Sequence, residues 1–277
     1  MSATQREPVA APQLVSSRPP EEQQPVREFF AQHPPGEGAA VAVVIPAYNE
    51  EPTVASVVAA IPEVIAGERA EVIVVVDGAE DATAAEAASA GALVCDIPVN
   101  RGQGTVYWLG YWLARQRGAE VIATIDADGQ YEESELDRVV EPVLSRRADV
   151  VYGSRRLGSE QTSDAMRHVG LRVFGGLVSL LIGQRITDPA AGLRAFRVEV
   201  PEGIKLEQPQ YQSSELLISS ALNGFRVSEV GTTMKDRPVG ATTTKKGPNL
   251  LYGMRFARAV LGTWRRDRKA ARTRLRS

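Results

Sequence analysis

Runs of apolar, largely β-branched residues recur along the first half of the chain, and nearly every one ends at an acid, an amide or a tyrosine. They are Val41-Ala-Val-Val-Ile45, Glu71-Val-Ile-Val-Val-Val76, Leu93 to Pro98, Val121-Ile-Ala-Thr-Ile125 and Asp149-Val-Val-Tyr152. A continuous apolar run has no face to give to water, so it suits a strand covered on both sides. Helical stretches separate the runs: from Asn49-Glu-Glu-Pro52 through Ile61, Ala82 to Ala90, Thr105 to Arg117 and Glu133 to Ser145. This alternation predicts an α/β fold with a mostly parallel sheet and helices on both faces.

The second half is less regular. Residues 154 to 185 predict a loop and then an apolar helix, Ala191 to Val198 a strand, Ser214 to Leu222 a helix and Arg226 to Thr233 a strand. From Tyr252 the pattern is helical and its end is crowded with Arg and Lys. Residues 1–38 are rich in Pro, Gln, Glu and Ala without sustained periodicity, which predicts a disordered leader. Residues 39–246 then form the folded domain and 247–277 a basic helical tail.

Composition removes several function classes. With 32 Lys and Arg against 34 Asp and Glu, nothing points to nucleic acid. Cys95 is the only cysteine, so neither an intrachain disulfide nor a cysteine zinc cage can form. His33 and His168, the only histidines, make a histidine-rich metal site or a Ser-His-Asp triad a poor expectation. No basic cluster followed by an apolar run opens the chain. The longest apolar stretch, Val173 to Gly183, is too short to cross a bilayer. The expectation is a cytoplasmic protein, with association at the cytoplasmic face of a membrane left open.

Ligands of open parallel sheets bind outside the carboxyl ends of the strands. The residues there are Tyr48-Asn49-Glu50, Asp77, Asn100 and the pair Asp126 and Asp128, all on one rim. Two carboxylates one small residue apart, on a turn ending in Gly129, can face one divalent cation, and Mg2+ or Mn2+ completes such a shell with phosphate oxygens and water. The same Asp-x-Asp-Gly segment can also be an ordinary Asx turn.

Six motifs occur in order: Val43-Val-Ile-Pro-Ala-Tyr-Asn-Glu50, Asp77-Gly-x-x-Asp-x-Thr83, Asn100-x-Gly-x-Gly104, Asp126-Ala-Asp-Gly-Gln130, Gly153-Ser-Arg155 and Thr187-Asp-Pro-Ala-Ala-Gly-Leu-Arg-Ala-Phe196. Over residues 41–246 the chain resembles the family-two glycosyltransferases of GT-A (Rossmann-like) fold, and within them the polyprenyl-phosphate (dolichyl-phosphate) mannosyl- or glucosyltransferase branch. The resemblance implies that 39–246 is a GT-A catalytic domain. It implies nucleotide contacts at Pro46, Tyr48, Glu50, Asp77 and Asp126, and metal and diphosphate ligands at Asp126, Asp128 and Gln130. It further implies that Arg155, Arg167, Arg237 and Lys245 handle acceptor or donor phosphate, and that Asp188 and Glu215 are acids near the acceptor. Three features depart from the family pattern: Val76 stands where a second acid is usual, Ala79 where a serine is, and the lysine of the Arg-x-x-Gly-x-Ser-Lys segment is displaced by two residues, to Lys245.

The activity implied is transfer of a sugar from a nucleoside-diphosphate donor, with inversion, onto a polyprenyl phosphate. An anionic phosphate needs no general base, whereas a hydroxyl of a glycan or secondary metabolite does; Asp188 is the first candidate for that base. Arg155 would serve the reacting phosphate, because the guanidinium fork pairs with two oxygens. A third reading, a sugar-nucleotide binding protein without catalysis, rests on Val76 and Ala79. A basic amphipathic tail from Arg255 to Arg276 and the apolar segment Val173 to Ile182 suit an anionic membrane surface, a core helix or a solvated helix.

Overall fold

The apolar runs become strands of one mixed sheet in a computed structural model that describes residues 15–160, 165–236 and 249–274. In chain order come α1 (Pro20–Gln32), β1 (Val41–Ala47), α2 (Val54–Ala60), β2 (Val64–Ile65), β3 (Glu68–Asp77), α3 (Thr83–Ser89), β4 (Leu93–Ile97), α4 (Gln103–Arg117) and β5 (Val121–Thr124). After a 3-10 turn at Glu133–Glu135 come α5 (Leu136–Leu144), β6 (Val150–Glu160), α6 (Ala165–Ile182) and β7 (Arg194–Arg197). The chain continues through α7 (Val200–Gly203), α8 (Gln212–Leu222), β8 (Val227–Met234) and α9 (Asn249–Arg274).

The sheet runs β3-β1-β5-β7-β6-β8, with β4 and the short β2 both on β3. Pairs β1/β3, β1/β5, β3/β4 and β6/β8 are parallel, while β7 is antiparallel to both β5 and β6. This order puts the carboxyl ends of β1, β3, β5, β6 and β8 and the start of β7 on one rim. Side chains alternate across the pleat. Ala42, Val44, Ile73 and Val75 belong to one buried cluster with Leu109 and Leu113 of α4, Leu216 of α8 and Val260 of α9. Val41, Val43, Ile45, Val74 and Val76 face α2 and α5 through Val54, Val57, Val139 and Val143. Both faces are therefore covered, each buried Val or Ile contributing roughly 1.5–3 kcal/mol.

Two expectations need correction. The leader does not extend unbroken to residue 38, because Pro20–Gln32 is helical with Val26, Phe29 and Phe30 buried. Pro20 suits a helix start, where its missing N–H would have no partner, and the Phe30 ring meets Trp112 at 5.7 Å. The β6 strand also continues well past Tyr152, through Glu160, along β8 with a register shift between Ser154 and Ser159. Gly158 permits this approach: a Cβ there would stand 2.2 Å from the Thr232 carbonyl.

Candidate active site

The acidic turn follows β5. Thr124 donates its hydroxyl to the Gly192 carbonyl at 2.7 Å, tying the strand end to the loop before β7. Asp126 Oδ1 accepts from the Tyr107 hydroxyl of α4 at 3.1 Å. A Cβ on Gly192 would lie 2.2 Å from Asp126 Oδ2, so only glycine leaves that oxygen room. Asp128 Oδ1 accepts the Gln130 N–H at 3.2 Å, with Gly129 between them at φ +67°. Gln130 then grips the chain beyond β8: its Nε2 donates to the Lys235 carbonyl at 3.1 Å and its own carbonyl accepts the Lys235 N–H at 2.7 Å. The segment is thus an Asx turn and an acid pair at once.

Burial first, and then the charge of Asp128, push the Asp126 carboxyl above the ordinary carboxylate range. A divalent cation would relieve that repulsion, and oxygen ligands suit Mg2+ or Mn2+. Among the described residues no group of three or more His, Cys, Asp or Glu is placed to hold a metal. The donor set fits a cation shared with diphosphate oxygens rather than one caged by protein alone.

The β1 end supplies the neighbouring wall. Its pairing with β5 stops at Val44 and Thr124, while the strand continues through Pro46 to Ala47 along β3. A proline there leaves no N–H unpaired on the open side. Tyr48 is exposed, and Asn49, at φ +52°, accepts the Glu80 N–H through Oδ1 at 2.9 Å. Glu50 is held from both ends: its N–H donates to Thr83 Oγ1 at 2.8 Å and its Oε2 accepts from Thr53 Oγ1 at 3.1 Å.

Asp77 sits on the rim but turns its carboxylate to the glycine-rich loop, accepting the N–H groups of Arg101 at 2.6 Å and Gly102 at 2.9 Å. Burial raises its pKa, and those two backbone bonds oppose the rise. Val76, at the departure from the family pattern, is fully buried in the apolar layer.

Arg155 and Asp188, both buried, form a second centre with the half-buried Glu229. Arg155 donates Nε to Asp188 Oδ2 at 2.5 Å and Nη2 to Oδ1 at 2.6 Å. Asp188 is 0% exposed. Glu229 of β8 accepts the N–H groups of Thr187 and Asp188, each at 2.8 Å, and so fixes this loop. Asp188, the first candidate for a base, has both of its oxygens on the guanidinium.

Glu215, expected near the acceptor, is held inside the fold. On α8 it is enclosed by the N–H groups of Glu207 and Gln208, at 2.8 and 2.7 Å, and by Arg266 Nη1 of α9 at 2.8 Å. It secures the segment whose Pro209 carbonyl accepts the Gly104 N–H at 2.8 Å, beside the glycine-rich loop. Arg237 and Lys245, and the side chain of Arg167 in α6, lie outside the described residues. Two contributors escaped the sequence reading: Tyr107, and Arg194 at the start of β7. Arg194 falls inside the last motif, but a lone arginine in an apolar strand gives no sign of which way it points.

Residues 42–204 match glycosyl transferase family 2. The chain is 34% identical over 208 residues to a dolichyl-phosphate hexose transferase of Haloferax volcanii, covering 75% of this chain and 87% of that protein. It is 30% identical over 224 residues to a polyprenol monophosphomannose synthase of Mycolicibacterium smegmatis, covering 76% and 83%. Its fold resembles a crystal structure of glucosyl-3-phosphoglycerate synthase from Mycobacterium tuberculosis with Mn2+, UDP and phosphoglyceric acid. That match has a TM-score of 0.62 at 22% identity and covers 87% of this chain and 80% of that one. With its acid pair on the sheet rim and its motifs in family order, the chain belongs to glycosyl transferase family 2.

Proposed function

We propose that this protein transfers a hexose, inverting the anomeric carbon, from a nucleoside-diphosphate sugar to a polyprenyl phosphate, with Mg2+ or Mn2+ as cofactor. Relatives named for dolichyl-phosphate and polyprenol chemistry support the acceptor, and the neighbour crystallised with Mn2+ and UDP supports the metal and donor class. Asp126, Asp128 and Gln130 would hold the cation, which when bound stabilises charge on the departing diphosphate. Pro46, Tyr48, Glu50 and Asp77 line the wall where the nucleoside would rest. An acceptor phosphate oxygen forms its bond to the anomeric carbon as the bond to the diphosphate oxygen breaks, and the nucleoside diphosphate leaves.

The observation that carries the acceptor is the Arg155–Asp188 pair. With both oxygens on the guanidinium, Asp188 is held as the partner of a buried cation and is withheld as the base that a hydroxyl acceptor would need. Contact with a membrane surface fits the same reading. Among the described residues no helix is long and apolar enough to cross a membrane. The α9 residues Met254, Arg258, Leu261 and Arg265 line an open groove beside Tyr211, at spacings that share one helix face.

Incubation with labelled sugar nucleotides and a polyprenyl phosphate tests the proposal. The expected product is organic-extractable and acid-labile, and it disappears with a chelator or in Asp128→Ala. Product confined to the aqueous phase would point to a soluble acceptor, and full activity in Asp128→Ala would sink the metal reading.

A further inference from the structure

Arg194 is 1% exposed, yet the described residues place no carboxylate in hydrogen-bonding contact with it. Its Nη2 donates to Gln212 Oε1 at 2.7 Å and to the Tyr111 hydroxyl at 2.9 Å, and its Nη1 to the Ala191 carbonyl at 3.3 Å. Its Nε has no partner, nor has Gln212 Nε2. A cation surrounded by neutral acceptors is an expensive thing to bury, and an apolar residue at the start of β7 would pack with less cost. Something other than packing explains the charge.

The ring above the guanidinium is that of Tyr107, whose centroid lies 4.5 Å from Arg194 Cζ. Tyr111, whose hydroxyl accepts from Arg194, lies tilted against Tyr107 at 5.7 Å and edge-on to Phe196 at 4.9 Å. The hydroxyl of Tyr107 is the donor to Asp126 Oδ1. A charge over an aromatic face holds that ring more firmly than dispersion alone, and a carboxylate hydrogen-bonded on one oxygen loses its rotational freedom.

We infer that Tyr107 and Arg194 are positioning residues: the buried guanidinium fixes the Tyr107 ring, and the Tyr107 hydroxyl fixes the Asp126 carboxylate in the orientation that shares a divalent cation with the donor diphosphate. The inference rests on the metal reading proposed above. The relay acts on aim, not on bond making, so its loss shows first in metal affinity and in the KM for metal, and less in kcat.

Tyr107→Phe keeps the ring over the cation and removes only the hydroxyl; Arg194→Lys keeps the charge and loses the fork. Mn2+ is titrated into wild type, both variants and Asp128→Ala, with UDP and with GDP, and free Mn2+ is read by electron paramagnetic resonance. The expected result is Mn2+ affinity about tenfold weaker in Tyr107→Phe, the scale of one hydrogen bond to a charged group, with the fold retained by circular dichroism. Arg194→Lys weakens affinity at least as much, and Asp128→Ala abolishes binding. If Asp128→Ala abolishes binding while Tyr107→Phe matches wild type, the relay is overturned and the metal reading stands. If wild type and Asp128→Ala do not differ, with or without detectable binding, the metal reading falls and the relay with it.

Discussion

Arg155 and Asp188 meet as a buried two-pronged ion pair, Nε on Oδ2 at 2.5 Å and Nη2 on Oδ1 at 2.6 Å. The pair sits on β6 and on the loop before β7, so it locks the two antiparallel strands together at the site rim.

Removing one partner from a buried pair leaves the other charge uncompensated, at a cost of about 3–5 kcal/mol. Asp188→Ala is therefore expected to lower the urea midpoint markedly, with activity falling alongside the folded fraction. A general base would behave otherwise, losing rate at unchanged stability. Arg155→Lys keeps the charge but gives up the fork to Asp188, and the expected outcome is a smaller fall in the urea midpoint together with a raised KM for the phosphate acceptor. Steady-state kinetics beside denaturation curves separate the two residues' roles.

Glu215 is predicted to be structural. Its carboxylate gathers Glu207, Gln208 and Arg266, joining α8, α9 and the segment next to Gly104. Glu215→Gln should cost about 1–3 kcal/mol, as an unsatisfied buried donor does, while kcat per folded molecule stays within about twofold. A large fall in kcat at undiminished stability would return this acid to the chemistry.

The parallel strands were legible because a run apolar at every position can only be covered on both faces, as Val41 to Ile45 is. The rim acids were legible because they follow those runs. Other features left weaker traces. Beyond Tyr152, β6 is built mainly from Gly, Ser and Arg and is held by backbone pairing with β8, which composition does not reveal. Arg194 looks like any polar residue until its burial is known. In α1 the proline and glutamine content masked Val26, Phe29 and Phe30, which stand at helical spacing. Phe29 is 1% exposed, and Phe29→Ala is expected to destabilise the protein by about 3–5 kcal/mol, read by chemical denaturation. A change below about 0.5 kcal/mol would restore the view of this stretch as a mobile leader.

Asp149 gives a prediction in pH. It stands just before β6 and accepts the Arg226 N–H at 2.8 Å, Arg226 Nε and Nη2 at 3.1 and 3.0 Å, and Arg197 Nη1 at 3.2 Å. The Arg226 side chain foremost, then its backbone N–H and Arg197, lower the Asp149 pKa to about 2. An unfolded Asp titrates near 3.9, so between the two values the unfolded chain binds the proton and the folded one does not. The stabilisation is thus complete above about pH 5, declines as pH falls through 4, and is gone below about 2. Arg226 is 55% exposed, and solvent screening reduces the contribution to about 1 kcal/mol. Asp149→Asn should therefore be less stable than wild type by that amount at pH 6, and the two unfolding curves should converge as pH approaches 2. A gap of constant size across that range would assign the effect to packing at the start of β6 rather than to charge.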